Sequence, residues 1–447
     1  MEHSTSTIVG SRPFEVTNRL VLAIAIPMTL AYLTTPLLGL VGTAVVGQFG
    51  DAALLGGLAA GAVVFDVVFA TFNFLRSGTS GLVAQALGRG DLLEERAIFW
   101  RAFTIAVAIG LGLVLLSPLI ASVGDWFMGA EPRVTQAMET YIGIRLLSAP
   151  AALLNYAVLG YFLGRGEATT GLLLQFLLNG VNIALCLWLG LHLGWGVAGV
   201  AWASVAGETI ALMAGVSIIL WRFRMMPKMS LQQVFDAAAL RRMLHLNGDI
   251  MIRSFVLVGA FSLLTRQGAQ LGTLTLAANA VLMHFFLVAG YFLDGFANAA
   301  EQLAGRAIGA RYEPAFSRAV RLTSIWGFAL AGFASLAGLL FGEQLVALMT
   351  TATDVQAEAA SYLPWAALTA ISGVLAFQMD GVFIGATWSR DMRNMMLLSF
   401  AVFVAALFGL GWYFGNHGLW AALHIFLIVR GVSLLSMVRS RQKAAFA

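Results

Sequence analysis

Between residues 284 and 302 the chain carries His284, Tyr291, Asp294, Asn298, Glu301 and Gln302 in a run that is otherwise mostly apolar. At 3.6 residues per turn these side chains fall within an arc of about 100° and form one polar stripe along a helix. Two carboxylates on such a stripe point to ion handling. A charged side chain at a bilayer centre costs at least about 2.5–3.5 kcal/mol on insertion scales and is kept for a pathway, a relay or a pair. Asp294 is the main candidate of the stripe. Glu301 is a second, with pairing to Arg306 as the structural alternative.

Other charges interrupt apolar runs in the same way. Asp380 precedes Gly381 among apolar residues and must either be protonated or find a partner. Both states suit an ion-coupled carrier, and structural pairing is the alternative. Glu208 and Asp66 are placed to neutralise Arg76 and Arg145 across helices; otherwise those arginines face a cavity and bind an anionic or zwitterionic compound. Arg145, Ser148 and Asn155 share one helix face, and Gln175, Asn179 and Asn182 share another. With Arg76, Asn298 and Tyr291 they are the candidate lining of a substrate cavity, although hydrogen bonds between packed helices would give the same pattern. Asp249 and Arg253, four apart, have the spacing of a salt bridge within one helix.

The elements that must position these groups are membrane helices. Of 447 residues, 60% are hydrophobic and 11% charged, with a mean hydropathy of +0.85, more apolar than a soluble fold of this size requires. Spans are expected near 20–47, 54–75, 100–120, 141–163, 168–188 and 197–220, and again near 250–265, 274–303, 320–341, 362–385, 395–414 and 419–437. Twelve helices in two six-helix lobes follow: an N-terminal lobe 1–220, a polar linker 221–240 and a C-terminal lobe 241–447. The first span is too long for a signal-peptide core and reads as a retained helix.

Lysine and arginine set the orientation. With both termini in the cytoplasm, Arg12, Arg19, Arg89, Arg96, Arg165, Arg224, Arg306, Arg311, Arg390 and Lys443 all lie inside, while Asp51, Asp125, Glu343, Asp354 and Glu358 lie outside. The net charge of +4 therefore reports topology and not nucleic acid. Cys186, the one cysteine, sits in an apolar run, so the sequence offers neither a disulfide framework nor a cysteine-ligated metal site. No His-Glu-x-x-His or Gly-x-Ser-x-Gly pattern supports a membrane enzyme. A monomer with a small-molecule substrate, the bilayer as its surroundings and no cofactor is expected.

The halves also match each other. At an offset of 221, Gly88 meets Gly309, Met128 meets Met349, Tyr141 meets Tyr362, and Gly160, Phe162 and Gly164 meet Gly381, Phe383 and Gly385. Six-helix halves that start on the same side are parallel repeats about an axis along the membrane normal, and such repeats place a substrate site between them.

Two segments carry a family resemblance: Pro36-Leu-Leu-Gly-Leu-Val-Gly-Thr-Ala-Val-Val-Gly47 and Phe74-Leu-Arg-Ser-Gly-Thr-Ser-Gly-Leu-Val-Ala-Gln-Ala-Leu-Gly88. With Asp249-Ile-Met-Ile-Arg253, Leu293-Asp-Gly-Phe-Ala297 and Asp380-Gly-Val-Phe-Ile-Gly-Ala-Thr387, the chain resembles the multidrug and toxic compound extrusion (MATE) transporters, in their DinF-like branch. The resemblance implies a V-shaped pair of bundles in a bacterial inner membrane that export amphipathic compounds against protons or sodium. A lipid-linked or polysaccharide flippase of the wider superfamily is the alternative.

Two positions depart from that pattern. The aspartates usual in the first and fifth helices are here Gly42 and Cys186. Ion coupling is accordingly expected in the C-terminal lobe, at Asp380 and Asp294 before Glu301, with Glu208 as the candidate in the N-terminal lobe.

Overall fold

Short polar residues start several helices by accepting a backbone N–H that the first turn leaves free. Thr17 caps α1 (Asn18–Gly47), Asp51 caps α2 (Ala52–Ala70), and Asp91 caps α4 (Leu92–Leu115), which follows α3 (Phe74–Arg89). Next come α5 (Ser117–Met128), α6 (Pro132–Leu147), α7 (Ala149–Gly164), α8 (Ala168–Leu185), α9 (Gly196–Phe223) and the short α10 (Leu231–Val234). Asp236 caps α11 (Ala237–Gln270), and α12 (Thr273–Gly309), α13 (Glu313–Met349), α14 (Thr353–Gly385) and α15 (Ser389–Phe446) complete the chain. This computed structural model describes residues 13–129 and 131–447, and Arg12 lies outside the described residues.

Among the described residues, ten stretches are long and apolar enough to cross a membrane, and α6 with α7, bent by 53°, makes a further span. α15 is two helices merged across Gly415, whose φ of 55° only glycine adopts freely. The result is a twelve-helix, all-α membrane protein in two lobes. Several helices outrun their expected spans: α13 is 37 residues long and α11 is 34. Hydropathy registers only the part inside the hydrocarbon core. The expected polar linker shrinks for the same reason, since α9 runs to Phe223 and α11 begins at Ala237.

Helices α1 to α9 pack mainly among themselves, as do α11 to α15, with α12 also lying against α1 and α3. Close packing repeats at the offset read from the sequence. Gly160 of α7 abuts the Arg76 carbonyl of α3, and Gly381 of α14 abuts the Ala297 carbonyl of α12; Gly164 and Ser80 are matched likewise by Gly385 and Glu301. Any Cβ there would clash with the carbonyl. Between the lobes the same relation becomes reciprocal, with Gly88 against the Arg306 carbonyl and Gly309 against the Gln85 carbonyl. Turns obey it too: Gly90 and Gly166 have φ of 69° and 77°, and their counterparts Arg311 and Thr387 have 51° and 58°. A β-branched threonine in that region is strained, and its hydroxyl accepts a hydrogen bond from Gln85 Nε2 at 3.1 Å.

Candidate functional site

A cavity of about 370 Å³ opens among α1, α2, α3, α7, α8, α9 and α12. Its polar wall includes Tyr32, Asn73, Arg76, Asn155, Gln175, Glu208 and Tyr291, and its apolar wall includes Phe65, Phe69, Leu159 and Leu178. Small residues let the helices around it meet closely, and away from it the π-helical stretch Cys186–His192 after α8 packs Gly190 on Val45 of α1 and on Gly199 of α9.

Arg76 is partly exposed at this wall. It donates from Nε to Asn73 Oδ1 at 3.1 Å, from Nη1 to Asn298 Oδ1 at 2.9 Å and from Nη2 to Ser77 Oγ at 3.2 Å. Asn298 Nδ2 in turn donates to the Tyr32 hydroxyl at 2.9 Å and to the Asp294 carbonyl at 2.6 Å, so α1, α3 and α12 are tied at one point. Asp294 is partly buried one turn from Tyr291 and lies within electrostatic reach of Arg76, Arg253 and Arg430. Arg76 and Asp294 form no ion pair within 4.0 Å, with each other or with another group among the described residues. Glu301 is 2% exposed near Arg76 and Ser80, and its Oε1 has no partner among the described residues.

Arg145 and Glu208 satisfy each other. Arg145 Nη2 lies 3.0 Å from Glu208 Oε1, Nη1 donates to Ser148 Oγ at 3.1 Å, and the guanidinium stands 3.9 Å from the centre of the Phe65 ring. Asn155 Nδ2 donates to the Glu208 carbonyl at 2.8 Å. On α8, Gln175 reaches the cavity and donates to Asn179, while Asn179 donates to Thr34 of α1 at 2.6 Å and Asn182 to Ser204 of α9 at 2.8 Å. Those two asparagines hold helices together.

In the second lobe Asp380 Oδ2 accepts from both Arg253 of α11 and Arg430 of α15. The expected Asp249–Arg253 pair does not form. Asp249 binds Arg393 Nη1 at 2.6 Å and Ser389 Oγ at 2.9 Å instead. An i,i+4 pair contributes only about 0.2–0.5 kcal/mol, whereas two buried guanidinium groups require a carboxylate. Two other expected pairings also fail. Asp66 is exposed and in no ion pair among the described residues, so Arg76 is not neutralised by it. Arg306 lies over the Phe14 ring at 4.1 Å rather than on Glu301.

The stripe on α12 divides as well. Gln302 is buried, but His284 is exposed and borders an apolar groove with Phe285 and Phe333. Arg430, Tyr32 and Tyr156 were not singled out from sequence. An arginine inside the run 419–437 was a readable signal for the first, whereas the tyrosines had none.

The MatE family model matches residues 27–188 and 250–408, one segment in each half of the chain. The chain belongs to this family, which comprises transporters and not enzymes. It is 37% identical over 424 residues to DNA damage-inducible protein F of Escherichia coli (strain K12), covering 93% of this chain and 91% of that one. It is 26% identical over 401 residues to the probable multidrug resistance protein NorM of Rhizobium meliloti (strain 1021), covering 84% and 83%. Its fold matches a solved outward-facing multidrug resistance MATE family transporter of the MOP superfamily, with a TM-score of 0.87, 18% identity and 96% of both chains covered. A MOP superfamily transporter from Pyrococcus furiosus, described as having a binding pocket of reverse polarity, matches with a TM-score of 0.86 at 17% identity over 96% of this chain and 97% of that one.

Proposed function

We propose that this chain is a secondary active exporter of small amphipathic or toxic organic compounds, driven by proton or sodium antiport. Lobes 1–220 and 241–447, joined by the linker 221–240, alternate access to the cavity. The protein works as a monomer in a bacterial inner membrane with both termini in the cytoplasm. The observation that carries this reading is a cavity with aromatic walls and the unpaired Arg76 at the start of α3, together with a contact at the far end of α3, where it meets α12 and α14 through reciprocal glycine contacts and Gln85. That contact lies at the arginine-rich ends of the helices, near Arg89, Arg311 and Arg390. Opening it and closing the other end is the simplest exchange of access available to two rigid lobes. The printed names of relatives, multidrug resistance among them, favour broad small-molecule export.

Asp294 is the proposed coupling carboxylate, with Glu301 second. Asp380 and Glu208 rank behind them because each already has an arginine partner. The groups within electrostatic reach of Asp294 are Tyr32 of α1, Arg76 of α3, Arg253 of α11, Tyr291 and Glu301 of α12, and Arg430 of α15. Neutralising Asp294 with a proton or a sodium ion changes the balance among these charges. Ion and substrate thereby bias one another. The test is gradient-driven efflux in proteoliposomes under an imposed pH or sodium gradient, where Asp294→Asn is expected to abolish the gradient dependence. Full gradient-driven transport by Asp294→Asn, with loss in Asp380→Asn or Glu208→Gln at unchanged folding, overturns the assignment.

A further inference from the structure

The charges around the cavity are not disposed for a simple cation. Of those on or beside it, Arg145 and Glu208 cancel within their own ion pair. Arg76, Asp294 and the buried Glu301 remain in no ion pair among the described residues, and of the two carboxylates Asp294 is the partly exposed one. Arg76 lines the cavity, and Asp294 lies one turn from both Tyr291, which also lines it, and Asn298, which binds Arg76. Asn298 stands between them, its side-chain oxygen taking an Arg76 N–H and its Nδ2 bonded to the Asp294 carbonyl and the Tyr32 hydroxyl. Every hydrogen bond that Arg76 donates ends on a neutral acceptor, Asn73, Ser77 or Asn298.

Resting on the reading of this cavity as a transport site, we infer that its substrates are zwitterionic amphiphiles, bound through an acid group at Arg76 and a protonated amine at Asp294. The planar guanidinium suits a carboxylate or phosphate, and charge-assisted hydrogen bonds are the strong ones. The body of the molecule lies against Tyr32, Phe65, Phe69, Tyr156, Leu159 and Leu178, and a volume of about 370 Å³ sets its size to one or two rings with short substituents. In such a site the coupling ion and the amine compete for Asp294. An ion that neutralises Asp294 removes the partner of the amine and releases the substrate.

The test uses three forms of one ring system on the purified full-length protein: 2-naphthylalanine, its methyl ester and its N-acetyl derivative, which are zwitterion, cation and anion. The zwitterion is expected to bind about tenfold more tightly than either, the worth of one charge-assisted hydrogen bond. Arg76→Gln should weaken the zwitterion and the anion about tenfold and spare the ester, while Asp294→Asn should weaken the zwitterion and the ester and spare the anion. Arg76→Lys and Asp294→Glu, which keep the charges, should retain the preference and report on folding. Should Arg76→Gln not fold, Leu178→Asp provides the second arm, adding a carboxylate to the wall and favouring the ester. Equal binding of the three forms, or equal losses in both charge-removing variants, overturns the inference. Zwitterion preference without counterflow in proteoliposomes upholds the site and defeats the transport reading; counterflow of the ester alone defeats the site and upholds transport.

Discussion

Asp380→Asn is expected to destabilise the protein before it affects transport. One carboxylate, 7% exposed in its side chain, holds two guanidinium groups that are themselves 14% and 4% exposed, on helices α11 and α15. Its other oxygen, Oδ1, has no partner among the described residues, and neither does the Nε of either arginine, so there is no second anion in contact to take over. Removing one member of a buried pair costs about 3–5 kcal/mol, because the stranded charge keeps its desolvation penalty. Here two cations are stranded, which places the loss at the upper end of that range. The assay is denaturant titration of the detergent-purified protein, read through tryptophan fluorescence, for Asp380→Asn, Arg430→Gln and the double variant. The double variant should lose less than the sum of the singles, since Arg430 no longer has a partner to forfeit. If Asp380→Asn unfolds at the same denaturant concentration as the wild type while gradient-driven transport vanishes, Asp380 is a coupling group and the structural argument is wrong.

Reporter fusions after Arg224 and after Lys443 should both read cytoplasmic, and a periplasmic reading at either removes the even-helix topology. At the contact between lobes, Gly88→Val puts a branched side chain against the Arg306 carbonyl and the Ala310 amide. In a Cys186→Ser background, disulfide formation between Gln85→Cys and Thr387→Cys should fall when Gly88→Val is added. An unchanged yield would mean that α3 and α12 do not meet there.

Much of this protein was legible in the chain alone because the relevant patterns are local. Hydropathy runs count membrane spans, and an offset of 221 carries the two-lobe repeat into the structure as paired glycine contacts and paired left-handed turns. Charges that interrupt apolar runs made Asp294, Glu301, Asp380 and Arg76 candidates from the sequence alone. What it did not supply was their partners. Arg253 and Arg430 reach Asp380 from positions 127 and 50 residues away, and Asp249 passes over the arginine on its own helix for one on α15.

The α12 stripe shows the limit most directly. His284 and Gln302 are about five turns apart and share one angle on the helix, yet the first is exposed and the second is 2% exposed. Angle around a helix follows from sequence spacing. Whether that angle meets a cavity, a neighbouring helix or lipid is decided by how two lobes cross, and the buried residues of α12 crowd between Leu293 and Gly309, where Gly295 packs on α1 and Gly305 and Gly309 pack on α3.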